Sequence, residues 1–173
     1  MARLSMDVLQ AIRERRSIRR YQPTPVPEEA LMQVLEAGRW APSASNRQPW
    51  RFVVVRDREV KARLADMAPF GRFMAQAPVA IAVVVDPQGS NHPVEDGAAA
   101  TENMLLAAHA LGLGTCWIGA YGSAYEEEAK EVLGIPGERR ILSLVSLGYA
   151  AESPQKGRVD LGELVSYDRF GQA

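Results

Sequence analysis

Seven apolar residues in succession, Val79 to Val85, leave this chain few ways to fold. Pro78 precedes the run and Asp86 follows it. Valine and isoleucine dominate it, and β-branched side chains favour extended backbone. Seven residues are far fewer than the ~20 needed to cross a bilayer as a helix. A strand without a polar face must be covered on both sides. The 173 residues suffice for that in one domain, on the usual ~100–200 residues per domain.

The flanking segments supply candidates for the cover. Ser5 or Asp7 can cap a first helix reaching about Arg16, with Val8, Leu9, Ile12 and the Arg16 stem on its apolar face. Pro23, Pro25 and Pro27 hold an extended connector. A second helix opens at Thr24 or Pro27, carries Glu28 and Glu29 in its first turn, and turns Leu31, Val34, Leu35 and Gly38 inward. Trp40 to Pro49 is a polar loop and Trp50 to Val55 a strand. Glu59 to Met67 reads as a short amphipathic helix.

Val94 to Leu111 reads as the longest helix, rich in alanine and so able to approach its neighbours closely, and ended by Gly112 and Gly114. Thr115 to Ile118 is a short strand. Ser123 caps a helix ending at Leu133, whose Glu126, Glu127, Glu128 and Glu131 read as a solvated face. Ile141 to Leu147 is another strand. The last stretch holds the turn SPQKGR and the apolar group Leu161 to Val165. Helices and strands intermix without strict alternation, which predicts an α+β class or a mixed sheet with helices on both sides. No repeat or linker interrupts residues 1–173, so one domain is expected, with 150–173 as a C-terminal arm.

Composition narrows the function classes. Net charge is −1, so nothing pulls the whole chain toward nucleic acid or an anionic membrane. One cysteine, Cys116, excludes an intrachain disulfide, and two histidines, His92 and His109, do not suggest a metal site. No secretory leader is visible at MARLSMDVLQ, and a cytoplasmic location is expected. Neither a Ser/His/Asp set nor a phosphate loop of GxGxxG or GxxxxGK type is present.

Four residue groups can carry chemistry. Arg13, Arg15, Arg16, Arg19 and Arg20 surround Ser17, and residues 1–20 carry a local balance of +4. Arginine suits bidentate phosphate contacts, and a serine past a helix end adds a hydroxyl and an N–H. A solvated charged face explains the bare arginine cluster at least as well at this point; a nucleic-acid contact is a second alternative, weakened because no aromatic residue but Tyr21 interleaves. Pro42 to Trp50 (PSASNRQPW) offers small donors and acceptors able to meet a polar heteroaromatic edge, or forms a plain surface loop. Gly112 to Gly119 (GLGTCWIG) lets backbone approach something flat; Cys116 in it reads as a buried strand residue and His109 as a packed one. Lys156 and Arg158 can close over a phosphate or belong to an ordinary charged tail.

Taken together, RRSIR near residue 15, APSASNRQPW near 41, LGLGTCWIG near 111, and LGY near 147 followed by a basic pair resemble the nitroreductase family of FMN-dependent oxidoreductases. The resemblance runs from about Met6 to Tyr167. It implies a mixed, mainly antiparallel central sheet flanked by helices, and a homodimer with FMN at the interface and C-terminal segments exchanged between subunits. It implies that Arg15, Arg16 and Ser17 hold the phosphate and ribityl chain, with Lys156 and Arg158 completing the clamp. Arg19 stands for the basic residue near flavin N1. Pro42, Ser43, Ala44 and Ser45 come from the other subunit, with Asn46 and Gln48 supporting that loop. Ile118 and Gly119 offer backbone N–H groups toward N5 and O4.

The activity implied is ping-pong hydride transfer from NADH or NADPH through FMN to a nitroaromatic, quinone or similar acceptor, with no catalytic side chain of the protein's own, since the cofactor carries the chemistry. A flavin-binding dimer with a non-reductase role (flavin fragmentation, delivery or redox sensing) is the alternative. An arginine-rich nucleic-acid module is a third reading; neither membrane nor nucleic-acid partners follow from the resemblance. Two departures stand out. Only Asp86 to Pro93 joins Val85 to the long helix, where longer members insert a helical cover. The site is therefore more open, or roofed by Met67 to Met74 with Phe70 and Phe73. Ile118 takes a place that is polar or acidic in some members, where only the backbone is needed.

Overall fold

The computed structural model describes residues 6–172. In chain order it contains α1 (Val8–Glu14), α2 (Glu28–Arg39), β1 (Trp50–Val55), α3 (Arg58–Met67), β2 (Val79–Val85), α4 (Pro93–Ala110), β3 (Gly114–Gly119), α5 (Glu126–Leu133) and β4 (Arg140–Gly148). The four strands form one antiparallel sheet in the order β1-β2-β4-β3. A single parallel bridge, Ser17 to Thr115, adds the N-terminal segment beyond β3, and Tyr21 bridges Ala150 antiparallel. The class is α+β.

β2 is buried along its whole length, as its composition requires. Its residues alternate between two clusters. Val79, Ile81, Val83 and Val85 pack with Leu31 and Val34 of α2 and Met104, Leu105 and Ala108 of α4. Ala80, Ala82 and Val84 face Leu64 and Ala65 of α3, Met74, and Ala129 of α5. One register irregularity interrupts the β2–β4 ladder, between Val83 and Val84. Leu142 and Ser143 of β4 both face α4 there: Leu142 sits in its cluster and Ser143 Oγ lies 3.0 Å from Thr101 Oγ1. The Leu142 carbonyl accepts from Ala120 N–H (3.2 Å) and Tyr121 N–H (3.3 Å).

The small residues of α4 do bring it close to the sheet. A Cβ on Gly97 would lie 2.6 Å from Val85 Cγ1 and 2.7 Å from Leu142 Cδ2. Gly97→Val is therefore expected to cost about 1–3 kcal/mol through overpacking, although valine is the better residue for burial elsewhere. Urea unfolding checks this; an unchanged midpoint would mean α4 can retreat from the sheet.

Several boundaries differ from expectation. α1 ends at Glu14, two residues short of Arg16, because Arg15 leaves the helix with ψ 132°. Asp7 caps it through the Gln10 N–H at 3.0 Å, and Ser5 lies outside the described residues. Its supposed apolar face is not buried: Val8 and Leu9 are 65% and 61% exposed, and Ala11 is what packs. Ser123 does not cap α5; the cap position is Tyr125, and the Ser123 hydroxyl is buried without a partner. The loop Trp40 to Pro49 contains a short 3₁₀ turn, Ala44–Asn46. Beyond Pro154 every described residue is exposed, including Leu161, Leu164, Tyr167 and Phe170.

Candidate functional site

The segment after α1 is stitched along the outer side of β3. Ile18 N–H donates to the Thr115 carbonyl at 2.8 Å. Tyr21 lies beneath, its hydroxyl donating to the Ile18 carbonyl at 2.6 Å and lying 2.7 Å from Ser146 Oγ. Burial of Ile18 and Tyr21 leaves Arg19 and Arg20 outside and Arg15, Arg16 and Ser17 half-buried. Arg16 Nη1 folds back onto the carbonyls of Arg13 (2.7 Å) and Arg15 (2.9 Å), while its Nε is buried with no partner.

The chain returns to this segment at its other end. Ala151 N–H donates to the Arg20 carbonyl at 2.8 Å. The Glu152 carboxylate accepts from the Arg19 and Arg20 N–H groups. Just beyond, Pro154, Lys156 and Arg158 reach the hollow already lined by Arg15, Arg16, Ser17 and Arg19. That hollow has a volume of about 210 Å³ and five cationic side chains, with no carboxylate in its wall. Left without an anion, such a group of cations repels itself. A phosphomonoester matches it in charge, size and hydrogen-bonding capacity.

Arg19 also lines a second cavity, of about 470 Å³. Its floor is the outer end of β3, Cys116 to Gly119, and its walls include Phe70, Phe73 and Tyr125. The Arg19 guanidinium carbon is 5.8 Å from the Phe73 ring centroid. Phe70 is 91% exposed, an apolar ring with nothing of its own chain to cover it. Phe70 and Phe73, from the stretch Met67 to Met74, thus border this cavity. Backbone edges and aromatic walls suit a flat polar heteroaromatic group. Cys116 is buried, and desolvation pushes its thiol pKa up, which favours the neutral thiol over the thiolate. Trp117, within the GLGTCWIG stretch, lines this cavity as well, and Tyr125 joins it from outside any motif, which is why the sequence did not single it out.

The loop from Pro42 to Gln48 is not brought to either cavity within one chain. Ala44 and Ser45 line a small hollow with Gln88 to Asn91, and Gln48 lies beside α2 and β1. The loop is strained: Ser45, Asn46 and Gln48 have φ of 50°, 55° and 51°, values non-glycine residues seldom adopt. Its own side chains hold it. Ser43 Oγ accepts from Gln48 N–H at 2.9 Å, and Gln48 Nε2 donates to the Asn46 carbonyl and Oδ1, each at 3.2 Å. Asp96, buried at the start of α4, accepts from Ala44 N–H at 2.8 Å and from Ser90 Oγ at 2.5 Å. Asp96→Ala should release this loop. Limited proteolysis between Pro42 and Pro49 is the check, and unchanged resistance would show that the loop holds itself.

Two residues read differently in the fold. His109 is half-buried rather than packed; it lines a hollow of about 460 Å³ behind Arg15 and Arg16, its Nε2 is buried and unpaired, and burial lowers its pKa. Glu126 is not part of a solvated face. It is 2% exposed and receives Arg140 Nε and Nη2 at 2.7 and 2.6 Å.

Comparison with known proteins agrees with this architecture. The sequence pattern of the nitroreductase family matches residues 12–69 and 67–149. A Methanothermobacter thermautotrophicus protein, provisionally named as an NADH dehydrogenase/NAD(P)H nitroreductase, is 43% identical over 153 residues, covering 86% of this chain and 80% of its own. The crystallised FMN-dependent nitroreductase of Clostridium difficile superposes with a TM-score of 0.89 at 30% identity, covering 94% of this chain and 99% of its own. A provisionally named nitroreductase of Desulfovibrio desulfuricans, solved in complex with FMN, does so at 0.83 with 37% identity, covering 96% and 99%. The antiparallel sheet between two helical layers, the cation-lined hollow and these similarities together show that the chain belongs to the nitroreductase family.

Proposed function

We propose that the protein is an FMN-dependent oxidoreductase that takes electrons from NADH or NADPH and passes them to a small organic acceptor such as a nitroaromatic or a quinone, in ping-pong order. One observation carries the reading: a hollow of five cations shares Arg19 with a flat, aromatic-walled cavity. A phosphate on a short chain linked to a planar ring fits that pair. The FMN in the Desulfovibrio desulfuricans complex supports it. The unpaired, buried Arg16 Nε points the same way, since a buried donor without an acceptor costs free energy until a ligand supplies one.

When bound, FMN supplies the hydride acceptor and donor chemistry. Arg15, Arg16, Ser17, Lys156 and Arg158 hold the phosphate. Arg19 places positive charge at the ring end of the site, where it stabilises the negative charge of the reduced ring. Ile118 and Gly119 present backbone to the ring edge, and Phe70 and Phe73 limit the room above it. No side chain of the site is required to move a proton.

The second subunit belongs to the proposal. Residues 1–173 act as one domain with 150–173 as a C-terminal arm; the arm stays on its own chain as far as Arg158, and the part beyond crosses to a partner and buries the apolar side chains that stand exposed in a single chain. Pro42, Ser43, Ala44 and Ser45, supported by Asn46 and Gln48, then reach the partner's ring from across the interface. Light scattering should give twice the 18.9 kDa chain mass. A monomer would remove the partner's share of the site. The single cysteine, free and buried, accords with the cytoplasm. Among the described residues no helix is long and apolar enough to cross a membrane.

An absorbance spectrum of the purified protein tests the whole reading. Flavin bands that bleach anaerobically with NADH or NADPH support it and identify the donor. Bands that persist with both would leave a flavin-binding dimer without reductase activity. Absence of bands even after added FMN would overturn the cofactor assignment.

A further inference from the structure

We infer that Tyr125 is a positioning residue for the ring cavity, setting the aim of the Gly119 backbone. The inference rests on the FMN reading above. β3 ends at Gly119, which lines the cavity. Nothing lies within 4 Å of where a Gly119 Cβ would stand, so this backbone faces open space on the cavity side. What fixes it must come from behind.

Two contacts do so, one on each side of the peptide that joins Gly119 to Ala120. The Ala120 N–H donates to the Leu142 carbonyl of β4 at 3.2 Å. The Tyr125 hydroxyl donates to the Gly119 carbonyl. With both polar groups engaged, the peptide plane cannot swing, and the Gly119 Cα and the N–H preceding it are held. A glycine at this position has no side chain to restrain it, so removing one contact frees rotation that any other residue would resist.

Tyr125 is itself held with care. It is buried, and its ring walls the same cavity. The residue after it, Glu126, ties the intervening loop down by accepting from Gly122 N–H at 2.7 Å and Ile141 N–H at 3.0 Å. Burial raises the phenol pKa, so the hydroxyl stays protonated and remains a donor. Tyr125 thus links the loop that Glu126 ties down to the backbone stretch at the end of β3 that lines the cavity.

Tyr125→Phe keeps the wall and removes the donor. FMN should dissociate roughly three- to tenfold more readily, as expected for one hydrogen bond lost. The flavin absorption bands should shift, and the reduction potential should fall, because backbone donors at the carbonyl edge of the ring stabilise the charge that reduction places there. Replacement of Tyr125 by 3,5-difluorotyrosine, a stronger donor of similar shape, should move the potential the opposite way. That second variant covers the case in which Tyr125→Phe folds poorly, and a purely structural role would not produce opposite signs. If the parent binds FMN and both variants match its spectrum and potential, the Tyr125 role is overturned while the cofactor reading stands. If the parent fails to bind FMN, both fall.

Discussion

Replacing Arg16 and Ser17 together by alanine is expected to weaken FMN binding by roughly 1.5–3 kcal/mol, the cost of charge-assisted hydrogen bonds to a phosphate. That corresponds to about a tenfold to hundredfold rise in the dissociation constant. Both residues border the hollow that also holds Arg15, Arg19, Lys156 and Arg158. Ser17 is anchored to β3 through its bridge with Thr115, so its position does not depend on the ligand. The Arg16 side chain braces the end of α1 through the Arg13 and Arg15 carbonyls, so circular dichroism must show that the variant is folded. Fluorescence titration with FMN measures the loss, and riboflavin, which lacks the phosphate, is the control. The variant should bind riboflavin as the parent does. Equal FMN affinity in the two proteins would remove these residues from the phosphate site.

The second large effect concerns stability. Glu126→Ala is expected to destabilise the fold by about 3–5 kcal/mol, the range for breaking a buried ion pair from one side. The carboxylate accepts both donors of Arg140 and two backbone N–H groups, and the Arg140 guanidinium carbon sits 4.2 Å from the Tyr121 ring centroid. Burial alone would raise the Glu126 pKa, but the hydrogen bonds from Arg140, Gly122 and Ile141 outweigh it and the net shift is downward. A depressed carboxylate pKa contributes stability that is present above the unfolded-state value and is lost as pH falls through the folded one. The parent should therefore lose stability in mild acid more steeply than Glu126→Gln. Urea midpoints across that pH range decide it; parallel curves would show that other carboxylates govern the acid limb.

How much of this could be read from residue order differs by element. The strands were legible to within a residue at either end, because Val79–Val85 and Trp50–Val55 are apolar, β-branched and bounded by polar or proline residues. The faces of α1 were not. Val8, Leu9 and Ile12 are spaced for burial, yet periodicity cannot say whether the cover comes from the same chain. Glu126 was hidden for a related reason: three consecutive glutamates read as solvated unless the partner is known, and Arg140 is fourteen positions away. The cationic hollow was legible as residue types at both ends of the chain. Their meeting followed from the family resemblance and not from the residues themselves, because it depends on the Tyr21–Ala150 bridge and the Glu152 clasp. Tyr125 was missed because its contact is with a carbonyl, which leaves no pattern among side chains.

The Glu152 clasp bears on how fast the cofactor can leave. Lys156 and Arg158 stand beyond it on a stretch that otherwise lies exposed in a single chain. In the proposed complex, opening that stretch would withdraw two cations from the phosphate in a single motion, whereas Arg15, Arg16 and Arg19 would stay with the body of the protein. On that reading the cofactor's residence time should follow how often the tail lifts as well as the strength of the individual contacts. Dilution, which favours separated chains, should shorten that residence time even when the affinity measured at high protein concentration is unaltered.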